Sequence, residues 1–154
     1  MGLCVDSGEF IDTDKDTHFT GAIAQNAVEE ENIGMPANWA TLQIQKAIIS
    51  NITIASDQNL DWEVQFFSND TQSDTDADVD SAITSFRFSA SDGKQVGDAG
   101  LWRYDANPAH KEFEYEDRDR TSEWHIALAN RSVTTKAAGA TGEVVVRFRA
   151  TPIV

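Results

Sequence analysis

An alternation of period two constrains this chain more than any other feature. In Leu60-Asp61-Trp62-Glu63-Val64-Gln65-Phe66 every second side chain is apolar, and acidic or amide groups fill the places between. Successive side chains of an extended strand point to opposite faces, so the segment reads as a strand with one dry face. A helix repeats every 3.6 residues and would spread the same apolar groups around its circumference. The pattern returns in residues 82–89, where Phe86 and Phe88 oppose Ser85 and Arg87. It returns again in residues 123–130, where Trp124, Ile126 and Leu128 oppose Glu123 and His125. Near the end Val144, Val146 and Phe148 oppose Glu143, Arg147 and Arg149.

Residues 39–46 and 48–55 read as two further strands, the second with Ile48, Ile52 and Ile54 on one face, and residues 46–49 between them as a bend or a bulge. Residues 18–25 and 101–104 bring the total to about eight, all rich in β-branched and aromatic residues. Polar stretches with turn residues separate them: 29–38 with Gly34 and Pro36, 68–80, 91–100 and 107–120. Short strands divided by polar turns predict an all-β chain folded as one antiparallel β-sandwich, jelly-roll or immunoglobulin-like. Residues 17–154 form that domain. Residues 1–16 are acidic and lack periodicity, and they read as an irregular N-terminal arm that orders against a neighbouring subunit, with Phe10 and Ile11 as its partner-binding anchors.

Charge narrows the partners. Asp and Glu number 26 against 12 Lys and Arg, a formal net charge of −14. Such a field repels phosphate backbones and anionic membrane surfaces, so neither nucleic acid nor membrane is an expected partner, while divalent cations and basic surfaces are favoured. The first residues, Met1-Gly2-Leu3-Cys4-Val5-Asp6, lack the basic start and apolar run of a signal peptide, which predicts synthesis in a cytoplasm without export. Cys4 stands alone, so the chain forms no internal disulfide.

Candidate chemistry is sparse. Asp74, Asp76, Asp78 and Asp80 alternate as carboxylates do at the opening of a calcium loop, since hard cations collect oxygen ligands. Val79 and Ser85 occupy the places where such a loop, counted from Asp74, requires Gly and Glu, which favours a solvated acidic turn over a calcium site. His18, His110 and His125 fall in no metal-ligand spacing, and His125 lies on the polar side of its strand, in an exposed or cross-strand role. Glu112, Glu114 and Glu116 alternate along one segment, whereas glycosidic chemistry needs two carboxylates facing each other across a cleft. Trp62 and Trp124 belong to dry faces, but Trp102 and Tyr104 follow a glycine-rich loop and share one strand face, a candidate ligand platform. With no catalytic constellation, a binding or structural module is expected rather than an enzyme.

Residues 57–70, Asp-Gln-Asn-Leu-Asp-Trp-Glu-Val-Gln-Phe-Phe-Ser-Asn-Asp, lead into the aspartate-rich loop; Leu128-Ala129-Asn130-Arg131-Ser132 and Gly139-Ala140-Thr141-Gly142-Glu143-Val144-Val145-Val146 follow later. These segments, under half the chain, resemble small β-rich virion structural proteins of marine tailed phages. The resemblance implies a virion component: a capsid decoration or cement protein that binds the major capsid protein as a homo-oligomer, or else a tail or adsorption-device module. It supplies no site residues. Trp102 and Tyr104 keep a third reading open, a carbohydrate-binding or adhesive sandwich.

Overall fold

The alternating segments pair as strands, and every pairing is antiparallel. The computed structural model describes residues 8–14, 17–70, 82–97, 100–106, 112–138 and 144–154. Along the chain come β1 (Glu9–Asp12), β2 (Val28–Gly34), the short helix α1 (Ala37–Thr41), β3 (Lys46–Ser56), β4 (Trp62–Phe67) and β5 (Ala82–Phe88). After these come β6 (Lys94–Val96), β7 (Leu101–Asp105), β8 (Phe113–Glu116), β9 (Glu123–Asn130) and β10 (Val144–Pro152). One sheet runs β1-β10-β3-β7-β6 with β8 also on β3, and the other runs β2-β9-β4-β5. With β6 and β8 set aside, β1 pairs β10, β2 pairs β9, β3 pairs β7 and β4 pairs β5, and strands alternate between sheets except at the β4–β5 pair. That nested order is a long hairpin rolled upon itself, the strand order of a jelly roll.

The inner faces carry the core that the alternation marks. Leu60, Trp62, Val64, Phe66, Phe88, Trp124, Ile126, Leu128, Val144, Val146 and Phe148 are all buried. Phe66 of one sheet meets Phe148 of the other at 5.5 Å and Phe113 at 5.0 Å, and Trp124 meets Phe148 at 5.4 Å, so aromatic edges and faces join the two layers. Phe86 is half-buried, because β5 ends its sheet and the ring packs only along one flank, against Phe66 and Phe113.

Several expectations are corrected. Residues 9–12 are no arm: β1 pairs β10, Ile11 joins the core, and Thr13 exchanges hydrogen bonds with Val146 through its N–H and its hydroxyl. A jelly roll needs this strand to flank its last one; residues 1–7, 15 and 16 lie outside the described residues. Trp39 belongs to α1 rather than to a strand, because the chain turns at Pro36 and the indole packs edge-on against Trp124 at 5.6 Å. Residues 18–25 form no strand beyond a single bridge, Ile23 with Lys136. Residues 29–34, read within a turn-rich stretch, belong to β2, and the alternating segment at 112–116, open to reading as a strand or an extended loop, contains β8.

In β3 the alternation breaks at a bulge. Arg147 faces Thr53 but Arg149 faces Ser50, so Asn51 and Ile52 together oppose the single residue Phe148. Asn51 has φ 53°, a left-handed conformation that asparagine tolerates better than most residues. The bulge shifts the phase: Ala47 and Ile49 face the core before it, Ile52 and Ile54 after it, and Ile48 is left half-exposed. It also divides the partners of β3, with β8 beside residues 46–49 and β7 beside residues 53–56.

Candidate functional site

Beyond the bulge, the outward residues of β3 are Thr53 and Ala55, both small. Their neighbours across the ladder are long: Arg147 faces Thr53 from β10, and Arg103 faces Ala55 from β7. Small side chains on a central strand between long ones on both flanks make a groove along the outer face of the six-stranded sheet. Two cavities fill it. One of about 410 Å³ is lined by Phe10, Asn51, Thr53, Asp105 and both arginines, and one of about 550 Å³ by Asp12, Thr53, Ala55, Leu101, Val145 and the same arginines.

Each arginine is braced by a carboxylate through Nε, Arg147 by Asp12 at 3.1 Å and Arg103 by Asp105 at 3.1 Å. The Arg147 guanidinium also lies over the Phe10 ring, 4.5 Å from its centre. All these side chains are open to water: Phe10 is 54% exposed, Leu101 44%, and the Arg103 and Arg147 side chains 57% and 51%.

The residues singled out in the sequence fare differently. Ile11 is 9% exposed and spent in the chain's own core, so it anchors no partner, whereas Phe10 stays on the surface. Tyr104 is buried, with Oη donating to Asn59 Oδ1 and accepting the Leu60 N–H at 3.1 Å, and Trp102 packs half-buried on the core. The ligand platform is therefore corrected: both residues face inward, and the outward partners of that strand are Leu101, Arg103 and Asp105. Gly93 lets the preceding turn lie against Tyr104, since a Cβ there would come within 2.9 Å of the ring. Asp74, Asp76, Asp78 and Asp80 lie outside the described residues, as does His110. Among the described residues no cluster of three or more His, Cys, Asp or Glu is placed to hold a metal.

The titratable groups taken out of water serve the scaffold. His125 is fully buried between strands, with Nδ1 2.8 Å from Asn32 Oδ1 and Nε2 3.0 Å from Asp117 Oδ1. Its N–H donates to Tyr115 Oη at 2.9 Å, and burial pushes that phenol well above its ordinary range. The other Asp117 oxygen accepts the Glu123 N–H at 3.2 Å. At the β2 edge, Glu29 and Glu31 share register with the inward-facing Leu128 and Ile126. The backbone of residues 19–21 covers them: the Gly21 N–H donates to Glu29 at 3.1 Å and the Phe19 N–H to Glu31 at 3.4 Å. Inward acidic residues on an edge strand deter pairing with another chain. Buried Lys136 donates to the Gly21 carbonyl at 2.9 Å; desolvation lowers its amine, and the charges of Glu29 and Asp57 push it back up.

No protein-family model matches the chain, and no curated protein is similar to it in sequence.

Nothing local to Arg103 marks it or the groove it flanks with Arg147. Alternation does assign Arg147 to the outward side of the last strand. That Arg103 stands across β3 from it follows only from strand order.

Proposed function

We propose that the chain is a non-enzymatic virion structural protein, a decoration or cement module that docks on the major capsid protein through the outer face of its six-stranded sheet. The observation that carries this reading is the apolar surface this face leaves in water. Phe10 on β1, Val96 on β6 and Leu101 on β7 are all large and exposed, and Val96 and Leu101 are cross-strand partners. Exposed apolar groups gathered on one face, rimmed by charge, are the usual mark of an interaction surface. The opposite sheet differs: along β9 the outward His125, Ala127 and Ala129 are fully buried. The jelly-roll order fits a shell component, a fold shared with capsid domains and with much else, and the resemblance to virion proteins supplies the particular partner. β1 ends its sheet and offers an edge through which copies could pair into a homo-oligomer.

A module that binds the assembled shell and not its separated subunits raises the free energy needed to open the particle. The test compares purified particles with and without the protein under heat and osmotic shock. Complete particles should survive conditions that empty the stripped ones, and re-addition of a Phe10→Ser, Leu101→Ser variant should fail to restore survival. Equal tolerance of stripped and complete particles would refute the reinforcing role, and labelling confined to the tail would replace it with the adsorption-device reading.

A further inference from the structure

The groove is unlike at its two ends. At one lie Phe10, Asn51 and Asp105; at the other the aliphatic Leu101, Ala55 and Val145 lie beside Asp12 and Thr13; Arg103 and Arg147 border both. The two arginines stand on opposite walls and are offset by two residues along β3, since one faces Thr53 and the other Ala55.

We infer that this groove takes an extended peptide segment of the partner, with one carboxylate held between Arg103 and Arg147 and an aliphatic side chain two residues away lodged against Leu101, Ala55 and Val145. The inference rests on the reading of the chain as a docking module and names what it docks. Charge complementarity chooses the carboxylate. In a chain of net charge −14, two guanidinium groups face one groove, and the nearest contact of each with its bracing aspartate is through Nε. The terminal nitrogens of such a group form the fork that suits a carboxylate's two oxygens. The walls are two strand spacings apart, roughly 10 Å, a gap that two long side chains can close on one group between them.

Asp12 and Asp105 set the limit on charge. They stand beside the arginines in the same groove, so a run of acids would meet repulsion where a single carboxylate does not. The spacing follows from the strand: residues two apart on an extended peptide are about 6.6–7 Å apart and share a side, which matches the offset from Thr53 to Ala55. The aliphatic end decides against an acidic oligosaccharide, which carries no branched hydrocarbon for Leu101 and Val145. Nucleic acid is disfavoured too, since among the described lining residues Phe10 is the one aromatic ring, and Arg147 lies over it.

The probe is the fluorescent pentapeptide Ser-Glu-Thr-Leu-Ser, acetylated and amidated, titrated with the full chain and followed by polarisation. Sub-millimolar binding is expected, about tenfold weaker when Glu is replaced by Gln or Leu by Ser in the peptide, and weaker again as salt is raised. Arg103→Gln and Arg147→Gln should each weaken it about fivefold or more while barely moving the denaturation midpoint, because they give up exposed ion pairs and, for Arg147, an exposed contact with the Phe10 ring. No binding at millimolar peptide, binding that survives the Arg103→Gln, Arg147→Gln double variant, or tighter binding of an oligogalacturonate would each overturn the inference. Particle docking by the double variant separates the two readings. Docking that persists when the peptide does not bind removes the groove alone, and peptide binding without any particle docking removes the virion role and keeps the groove.

Discussion

His125 Nε2 lies 3.0 Å from Asp117 Oδ1, and neither side chain reaches water. Asn32 Nδ2 donates to Asp70 Oδ1 at 2.7 Å, and the Asn32 oxygen lies 2.8 Å from His125 Nδ1. Each ring nitrogen thus has an oxygen within hydrogen-bond distance, and the second Asp117 oxygen is taken by the Glu123 N–H. Removing one partner leaves the other buried without compensation. We expect His125→Ala and Asp117→Ala each to cost about 3–5 kcal/mol in urea unfolding, and the double substitution to cost clearly less than their sum. Additive losses would show that the two side chains act separately.

Adjacent residues of β1 should respond in opposite ways. Ile11 is in the core while Phe10 lies on the surface under Arg147, so Ile11→Ala should destabilise by about 2–4 kcal/mol. Phe10→Ala should change stability by less than about 1 kcal/mol, the scale of an exposed cation–π contact. Deleting residues 1–13 strips the strand from β10 and takes away the Thr13 hydrogen bonds with Val146, so it should lower the thermal midpoint markedly. A truncated chain as stable as the whole would make β1 a passive attachment.

Two aromatic truncations separate the middle of the sandwich from its rim. Trp62 is fully buried on β4, between β9 and β5, whereas Phe86 is half-buried on the outermost strand of that sheet. Trp62→Ala should cost about 3–5 kcal/mol, and Phe86→Ala less than half as much, because water and neighbouring side chains can fill the space it leaves. Equal losses in chemical denaturation would mean that β5 is covered on its open side.

How much the sequence discloses depends on what meets each strand. β4 and β10 are legible because one face is dry, so the apolar residues of Trp62-Glu63-Val64 recur with the pleat; β9 is buried on both faces and is legible because His125, Ala127 and Ala129 alternate with the larger Trp124, Ile126 and Leu128. β2 hides because its inward positions, Glu29 and Glu31, are met by backbone N–H groups rather than by apolar side chains, and no local hydrophobic pattern encodes that. β3 misleads by its bulge, which makes Ile49 and not Ile48 the core residue. Alternation placed His125 on the polar side and its cross-strand partner is indeed Asn32, but its burial comes from Asp117 and Asn32, contributed by distant segments. The groove has the same origin: the Arg147 wall can be read locally, while its meeting with Arg103 across Thr53 and Ala55 requires the jelly-roll order.

Glu31 makes the edge of β2 sensitive to pH. Burial raises its carboxyl above the ordinary range; the Phe19 N–H and the charge of His18 work against this, and Glu29 adds to it. A carboxyl whose folded value is raised contributes stability that is fully present below its unfolded value, roughly 4.3, and is lost as pH rises through the higher folded value. Glu31→Gln keeps an oxygen to accept from Phe19 and carries no charge to desolvate. The variant should therefore match the wild type near pH 4 and become the more stable protein toward pH 7, as read from denaturant midpoints at a series of pH values. A gap that stays constant across that range would assign the variant's effect to packing. A gap of opposite sign, with the wild type gaining as pH rises, would mean that the ionised carboxylate is held favourably by the Phe19 N–H and that desolvation is the smaller influence.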